Sequence, residues 1–221
     1  MRMKSIAFFL LTVFAFAFLA ACDFQRTIEV PYGAQMIEVD QDSTRFFSLV
    51  PFQEVTGAAI NSTVWDIAFS HYAGYRRTVL TNSGVTAERL ETGGRGGAWH
   101  TGNTDLDAAT PNDGLSPEDL PYYTDVYRYI AGMGGDSWRV VNVMTYVGYE
   151  TGTGIEGDPY GSWQYDRRQF YTFEMGGAGF AVTNEVYIIR HGCGLRYSAI
   201  QIVGYTSADP EIYILEFRNF Y

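Results

Sequence analysis

Ile212-Tyr213-Ile214-Leu215-Glu216-Phe217-Arg218 is the stretch whose reading decides the fold. Both of its alternating sets are largely apolar, Ile212 and Ile214 against Tyr213, Leu215 and Phe217. Successive side chains of a strand point to opposite faces, so the pattern predicts a strand covered on both sides. Upstream, Tyr197 to Tyr205 and Glu185 to Arg190 carry similar branched and aromatic residues, as does Trp138-Arg139-Val140-Val141-Asn142-Val143-Met144-Thr145-Tyr146-Val147. Thr124 to Ile130 reads as another strand. Met133-Gly134-Gly135-Asp136 supplies the turn into the Trp138 run, so the two runs make a hairpin with Met133 near its tip. Only Asp119 and its neighbours offer a short helical turn. The expected fold is all-β, a single-domain antiparallel sandwich or open barrel with long loops.

At the other end, Arg2 and Lys4 precede an uncharged run from Ile6 to Ala21 that closes on Leu19-Ala20-Ala21-Cys22. A positive start, an apolar middle and small residues before the cut form a secretory signal. The cysteine after Leu-Ala-Ala resembles the lipobox of bacterial lipoproteins, in which that residue is acylated and becomes the new first residue. The run is shorter than the ~20 apolar residues that a spanning helix needs, and no basic stop signal follows. The expected division is therefore 1–21 as lipoprotein signal peptide, 22–30 as lipidated tether and 31–221 as β domain. Acyl chains on Cys22 would hold that domain to a lipid bilayer.

The formal charge of the chain is -10. Loss of Arg2 and Lys4 with the signal takes the mature protein to -12, because the segment removed holds no acidic residue. Such acidity argues against nucleic acid as a partner. With Cys22 acylated, Cys193 has no intrachain partner, which excludes a disulfide framework and a four-cysteine zinc site. His191-Gly192-Cys193-Gly194 reads as a turn, with a quiet thiol and a solvated His191. Thr81 to Pro121 reads as one long loop. Its Gly93-Gly94-Arg95-Gly96-Gly97 cluster lacks the lysine and the strand–helix setting of a phosphate loop. The aspartates at 105, 107 and 113 lack the spacing of a calcium loop and read as solvated turns. No Ser–His–Asp set or paired-carboxylate motif stands out, so an enzyme is not expected.

Several segments together resemble the HmuY-like haem-binding bacterial lipoprotein family. They are Trp65-Asp66-Ile67-Ala68-Phe69-Ser70-His71-Tyr72, then Thr81-Asn82-Ser83-Gly84, Gly94-Arg95-Gly96-Gly97-Ala98 and Thr104 to Thr110. Val186 to Arg190, Arg196 to Ile202 and the closing Ile212 to Phe217 complete the likeness, which spans nearly the whole mature chain. The resemblance implies an all-β protein, not an enzyme, that carries haem as cargo between hairpin tips. It further implies capture at the cell surface or outer membrane and delivery to a TonB-dependent outer-membrane receptor.

In that family two axial side chains grip the iron. The resemblance puts Met133 near the first ligand position and Met175 near the second, with Met144 and His100 as reserve ligands. Aligning the family tryptophan on Trp163 instead brings Arg168 to the second position, where it cannot ligate iron. Arg167 and Arg168 are the expected propionate partners. His71 falls on a family position that is not a ligand. Tyr160, Trp163, Tyr165, Phe170, Tyr171 and Phe173 could wall a flat porphyrin or pack the sandwich. The alternative function is a surface interaction or glycan-binding module of the same fold, using exposed Trp99, Tyr122, Tyr123 and Trp163 as stacking platforms.

Overall fold

The Ile212 stretch lies within the longest shared ladder of the protein. In the computed structural model, which describes residues 31–72, 75–84, 93–109, 116–130, 137–141, 144, 170–174 and 179–220, it belongs to strand β13 (Glu211–Phe220). β13 pairs antiparallel with β1 (Gln35–Val39) on one side and β12 (Tyr197–Thr206) on the other. Beyond β12 come β11 (Val186–Arg190) and then β6 (Gly97–His100), completing a five-stranded sheet. Tyr213 and Leu215 are fully buried on one face, and Ile214 is buried on the other against Gly204 of β12. Coverage on both sides thus holds for the middle of the strand, while Ile212 and Phe217 are half-buried.

A second, four-stranded antiparallel sheet runs in the order β3 (Phe52–Val55), β2 (Thr44–Leu49), β4 (Ile67–Tyr72), β5 (Tyr75–Thr81). Both sheets supply one core. Ile37, Val39, Tyr187, Ile189, Ile200, Ile202, Tyr213 and Leu215 come from the first sheet, Phe47, Leu49, Ile67, Phe69 and Val79 from the second. That is a sandwich held by apolar burial. Two separate antiparallel pairs complete it, β7 (Val126–Ile130) with β8 (Ser137–Val141), and β9 (Tyr171–Glu174) with β10 (Gly179–Val182). The helical turn expected near Asp119 is present as a 3-10 turn over Pro117–Asp119, and a second occupies Gly57–Asn61.

Two expectations need correction. The stretch from Thr81 to Pro121 is not one loop, because β6 lies inside it and pairs with β11. The Trp138 strand does not continue through Met144, which is a buried turn residue whose carbonyl accepts from the Phe170 amide. The glycine cluster has a packing reason. A Cβ on Gly94 would collide with Asn82 Oδ1, and one on Gly96 would stand 2.6 Å from the Asn82 carbonyl. The loop closes around Asn82, whose side-chain amide donates to the carbonyls of Ser62 and Trp65.

Asp66 ties the two sheets together. Its carboxylate is 4 % exposed and accepts from Leu49 N–H at 2.7 Å and from Gly192 N–H at 3.1 Å. Leu49 ends β2, and Gly192 lies in the turn between β11 and β12. Removing the carboxylate leaves two buried amides unpaired, each costing about 1–3 kcal/mol. Asp66→Ala should therefore lower stability by about 2–5 kcal/mol, and Asp66→Asn, which keeps one acceptor, by less. Urea midpoints of the two variants check this, and an Asp66→Ala midpoint equal to wild type would refute it.

Candidate functional site

Two hairpins frame the positions expected to hold cargo. Ile130 faces Ser137 at the end of the β7–β8 ladder, and Glu174 faces Gly179 at the end of β9–β10. Met133 falls in the segment 131–136 that joins the first pair, and Met175 in the segment 175–178 that joins the second. Both methionines lie outside the described residues, as do Cys22, Trp163, Arg167 and Arg168. β8 packs beside β5, and β10 beside β12, so each hairpin is rooted on a different sheet.

The reserve ligands are occupied elsewhere. Met144 is completely buried in the main core cluster. His100 places Nε2 2.7 Å from Glu185 Oε2, and its ring lies 5.7 Å from that of Tyr187. Phe170 is 1 % exposed and packs edge-on against Tyr171 and Tyr205, a core residue rather than the wall of an open slot. The stacking platforms of the alternative reading are also less free than expected. Trp99, Tyr122 and Tyr123 are half-buried. Tyr122 donates to the Pro117 carbonyl at 2.6 Å, stacks on Tyr197 and carries the Arg190 guanidinium over its ring. Tyr123 packs against the main core and exchanges backbone hydrogen bonds with Ala98.

A cleft of about 420 Å³ opens beside the Asp66 pin. Ser48, Val50, Thr63 and Val64 line one side, Cys193, Leu195 and Arg196 the other, with Asp66 and His191 between them. His191 corrects an expectation: it is 2 % exposed, not solvated. Its Nδ1 lies 3.2 Å from Asp66 Oδ2, and its Nε2 lies 2.7 Å from Ser198 Oγ. The fold thus assembles a Ser–His–Asp series that the sequence reading missed, because its members are spread over 133 positions of chain. It is not arranged for attack on a substrate. Ser198 is fully buried, does not line the cleft, and donates its hydroxyl to Asn219 Oδ1 at 2.6 Å. A nucleophile must reach its substrate, so the series acts as a buried polar tie. Among the described residues no three His, Cys, Asp or Glu side chains are grouped to hold a metal ion.

With this geometry in hand, the chain can be placed among known proteins. The HmuY protein family matches residues 34–218, and the chain belongs to that family. Two solved structures are similar in fold. Apo PinO from Porphyromonas gingivitis has 13 % identity and a TM-score of 0.46, over 85 % of this chain and 97 % of that one. The apo HmuY analog of Tannerella forsythia has 14 % identity and a TM-score of 0.45, over 84 % of this chain and 94 % of the other. None of the curated proteins matches the chain in sequence. Among the described residues no helix is long and apolar enough to cross a membrane.

Burial holds the His191 imidazole below its ordinary pKa, with Arg196 adding to the effect and Asp66 opposing it. The unfolded chain then takes up a proton near the ordinary imidazole value of about 6.5, where the folded chain still declines it. Stability is therefore complete above that pH and falls on acidification, until the lower native value is passed. Replacing His191 by Gln should flatten this part of the stability profile, measured as the urea midpoint against pH. An unchanged slope in His191→Gln would show that the imidazole does not govern it.

Proposed function

We propose that the chain is a lipid-anchored haem-binding protein that captures haem at the cell surface and passes it to a TonB-dependent outer-membrane receptor. Membership of the HmuY family over residues 34–218 is the observation that carries this reading. The positions of the two candidate donors also support it, since Met133 and Met175 each fall between the paired strands of a hairpin. Haem needs an apolar slot, axial donors and partners for its propionates. Met133 and Met175 would supply thioether sulfur from two sides, and Arg167 and Arg168 would take the propionates. No step of catalysis is involved.

Thioether is a softer donor than imidazole and holds ferric iron less firmly. Ligation by two methionines would therefore be tighter in the ferrous state, which suits a protein that must release its cargo. Haemin titrated into the purified protein should give a sharpened, shifted Soret band, more pronounced after reduction. Met175→Ala and Met133→Ala should each weaken binding by about tenfold or more, a loss of at least about 1.4 kcal/mol. An unchanged haemin spectrum in both oxidation states removes the haem reading.

The anchor is a separate part of the proposal. Residues 1–21 would be cleaved and Cys22 acylated, leaving 22–30 as tether to the β domain. Cys22→Ala should move the protein from the membrane fraction to the soluble fraction, because a domain without acyl chains has no strong hold on the bilayer. Retention of that variant in membranes would point to another mode of attachment.

A further inference from the structure

Glu211, at the start of β13, is completely buried. Its two oxygens accept from two phenols, Tyr205 at 2.9 Å and Tyr213 at 2.8 Å. Across from it, His71 Nε2 stands 3.9 Å from Glu211 Oε1, too far for a hydrogen bond. His71 is 3 % exposed, and neither of its ring nitrogens has a hydrogen-bond partner. A buried imidazole with both nitrogens unanswered is costly, and such a group calls for an ion or water that answers it. Two register shifts bring these residues in, one in β4 between Ser70 and Tyr72, the other in β12 between Ile202 and Gly204. Bulges of this kind re-aim side chains and are common beside functional sites.

The geometry points to a mononuclear ferric-ion site built from His71, Glu211, Tyr205 and Tyr213, none of them a residue assigned to the proposed haem site. Donors on opposite sides of a metal with bonds of about 2.0–2.2 Å lie up to about 4.4 Å apart, and donors on adjacent corners lie about 3 Å apart. The His71–Glu211 separation is close to the first span, and the Tyr205–Glu211 separation matches the second. Imidazole, carboxylate and phenolate are all established iron donors. Charge favours a trivalent ion over a divalent one. One carboxylate and two phenolates sum to three negative charges, which neutralise Fe³⁺ in an interior where net charge is costly. Binding displaces the two phenol protons that now bond to Glu211, and they leave to solvent.

The test uses the full chain, purified free of haem and titrated with ferric citrate. One iron per chain should bind, with a visible phenolate-to-iron(III) charge-transfer band. Tyr205→Phe keeps the ring that packs on Phe170 and Tyr213 and removes one of the two phenolate donors, so the band should weaken and shift to that of Tyr213 alone while the far-ultraviolet circular dichroism is kept. Should that variant fail to fold, Glu211→Gln is nearly isosteric and should likewise abolish iron uptake. Absence of bound iron and of the band in the wild-type chain overturns the proposal. So does a band left unchanged in a folded Tyr205→Phe protein, or iron uptake that survives in a folded Glu211→Gln protein.

Discussion

The carboxylate of Asp66 is the contact on which the arrangement of the two sheets depends. It sits at the entry to β4 and reaches the end of β2 through Leu49 N–H and the β11–β12 turn through Gly192 N–H. The tryptophan before it is equally committed: Trp65 is fully buried and packs edge-on against Phe46 with centroids 5.0 Å apart. Comparison with a surface pair shows the difference in kind. Arg45 grips Glu54 with two nitrogens, at 2.9 and 2.6 Å, and holds that carboxyl below its usual range through the hydrogen bond. Both side chains are about one-third exposed, and pairs of that kind contribute about 0–1 kcal/mol. Asp66 has no water to fall back on, so the whole cost of its buried partners depends on it.

Two further polar residues extend this scheme outward. Asp125 is 6 % exposed and accepts from both the amide and the hydroxyl of Thr81, while its own amide donates to Ser83. It thereby fastens the entry of β7 to the exit of β5. Arg218 of β13 donates to the carbonyls of Asp107 and Ala109, drawing the aspartate-rich loop over the outer face of the five-stranded sheet. There Leu106 and Ala109 cover Val186, Ala199 and Phe220. The loop that reads as solvated acidic turns is thus solvated on one side only, and its apolar residues close a small second core.

What was legible in the sequence follows from the range of the forces involved. Alternation is local, so β11, β12, β13 and β7 could be read from composition and period within a residue or two at their ends, while β8 stops at Val141, six residues short of the end of its run at Val147. β6 could not, since Gly97-Ala98-Trp99-His100 carries no alternation and becomes a strand only by pairing with β11. The histidines mark the same boundary. His191 reads as a solvated turn residue because nothing within ten positions explains it except Ser198; its other partner, Asp66, is 125 residues away. His71 shows only a strand position, and neither its burial nor its nearness to Glu211 has a local signature. Met144 shares an alternating face with Val140 and Tyr146 and reads as buried packing, which it is; its place as a turn residue bonded to the Phe170 amide has no local signature.

A division of labour follows from where the ties are and where they are not. The polar pins at Asp66, Asn82 and Asp125, with the apolar core between the sheets, fix the sandwich through residues outside the segments 131–136 and 175–178. Neither these pins nor the described core contacts draw on residues of those segments. A scaffold built this way sets the roots of two hairpins, β7–β8 and β9–β10. Membership of the family therefore specifies the frame more tightly than it specifies the ligand. On the proposed haem reading, thioether sulfur in place of imidazole would alter how firmly the iron is held and in which oxidation state.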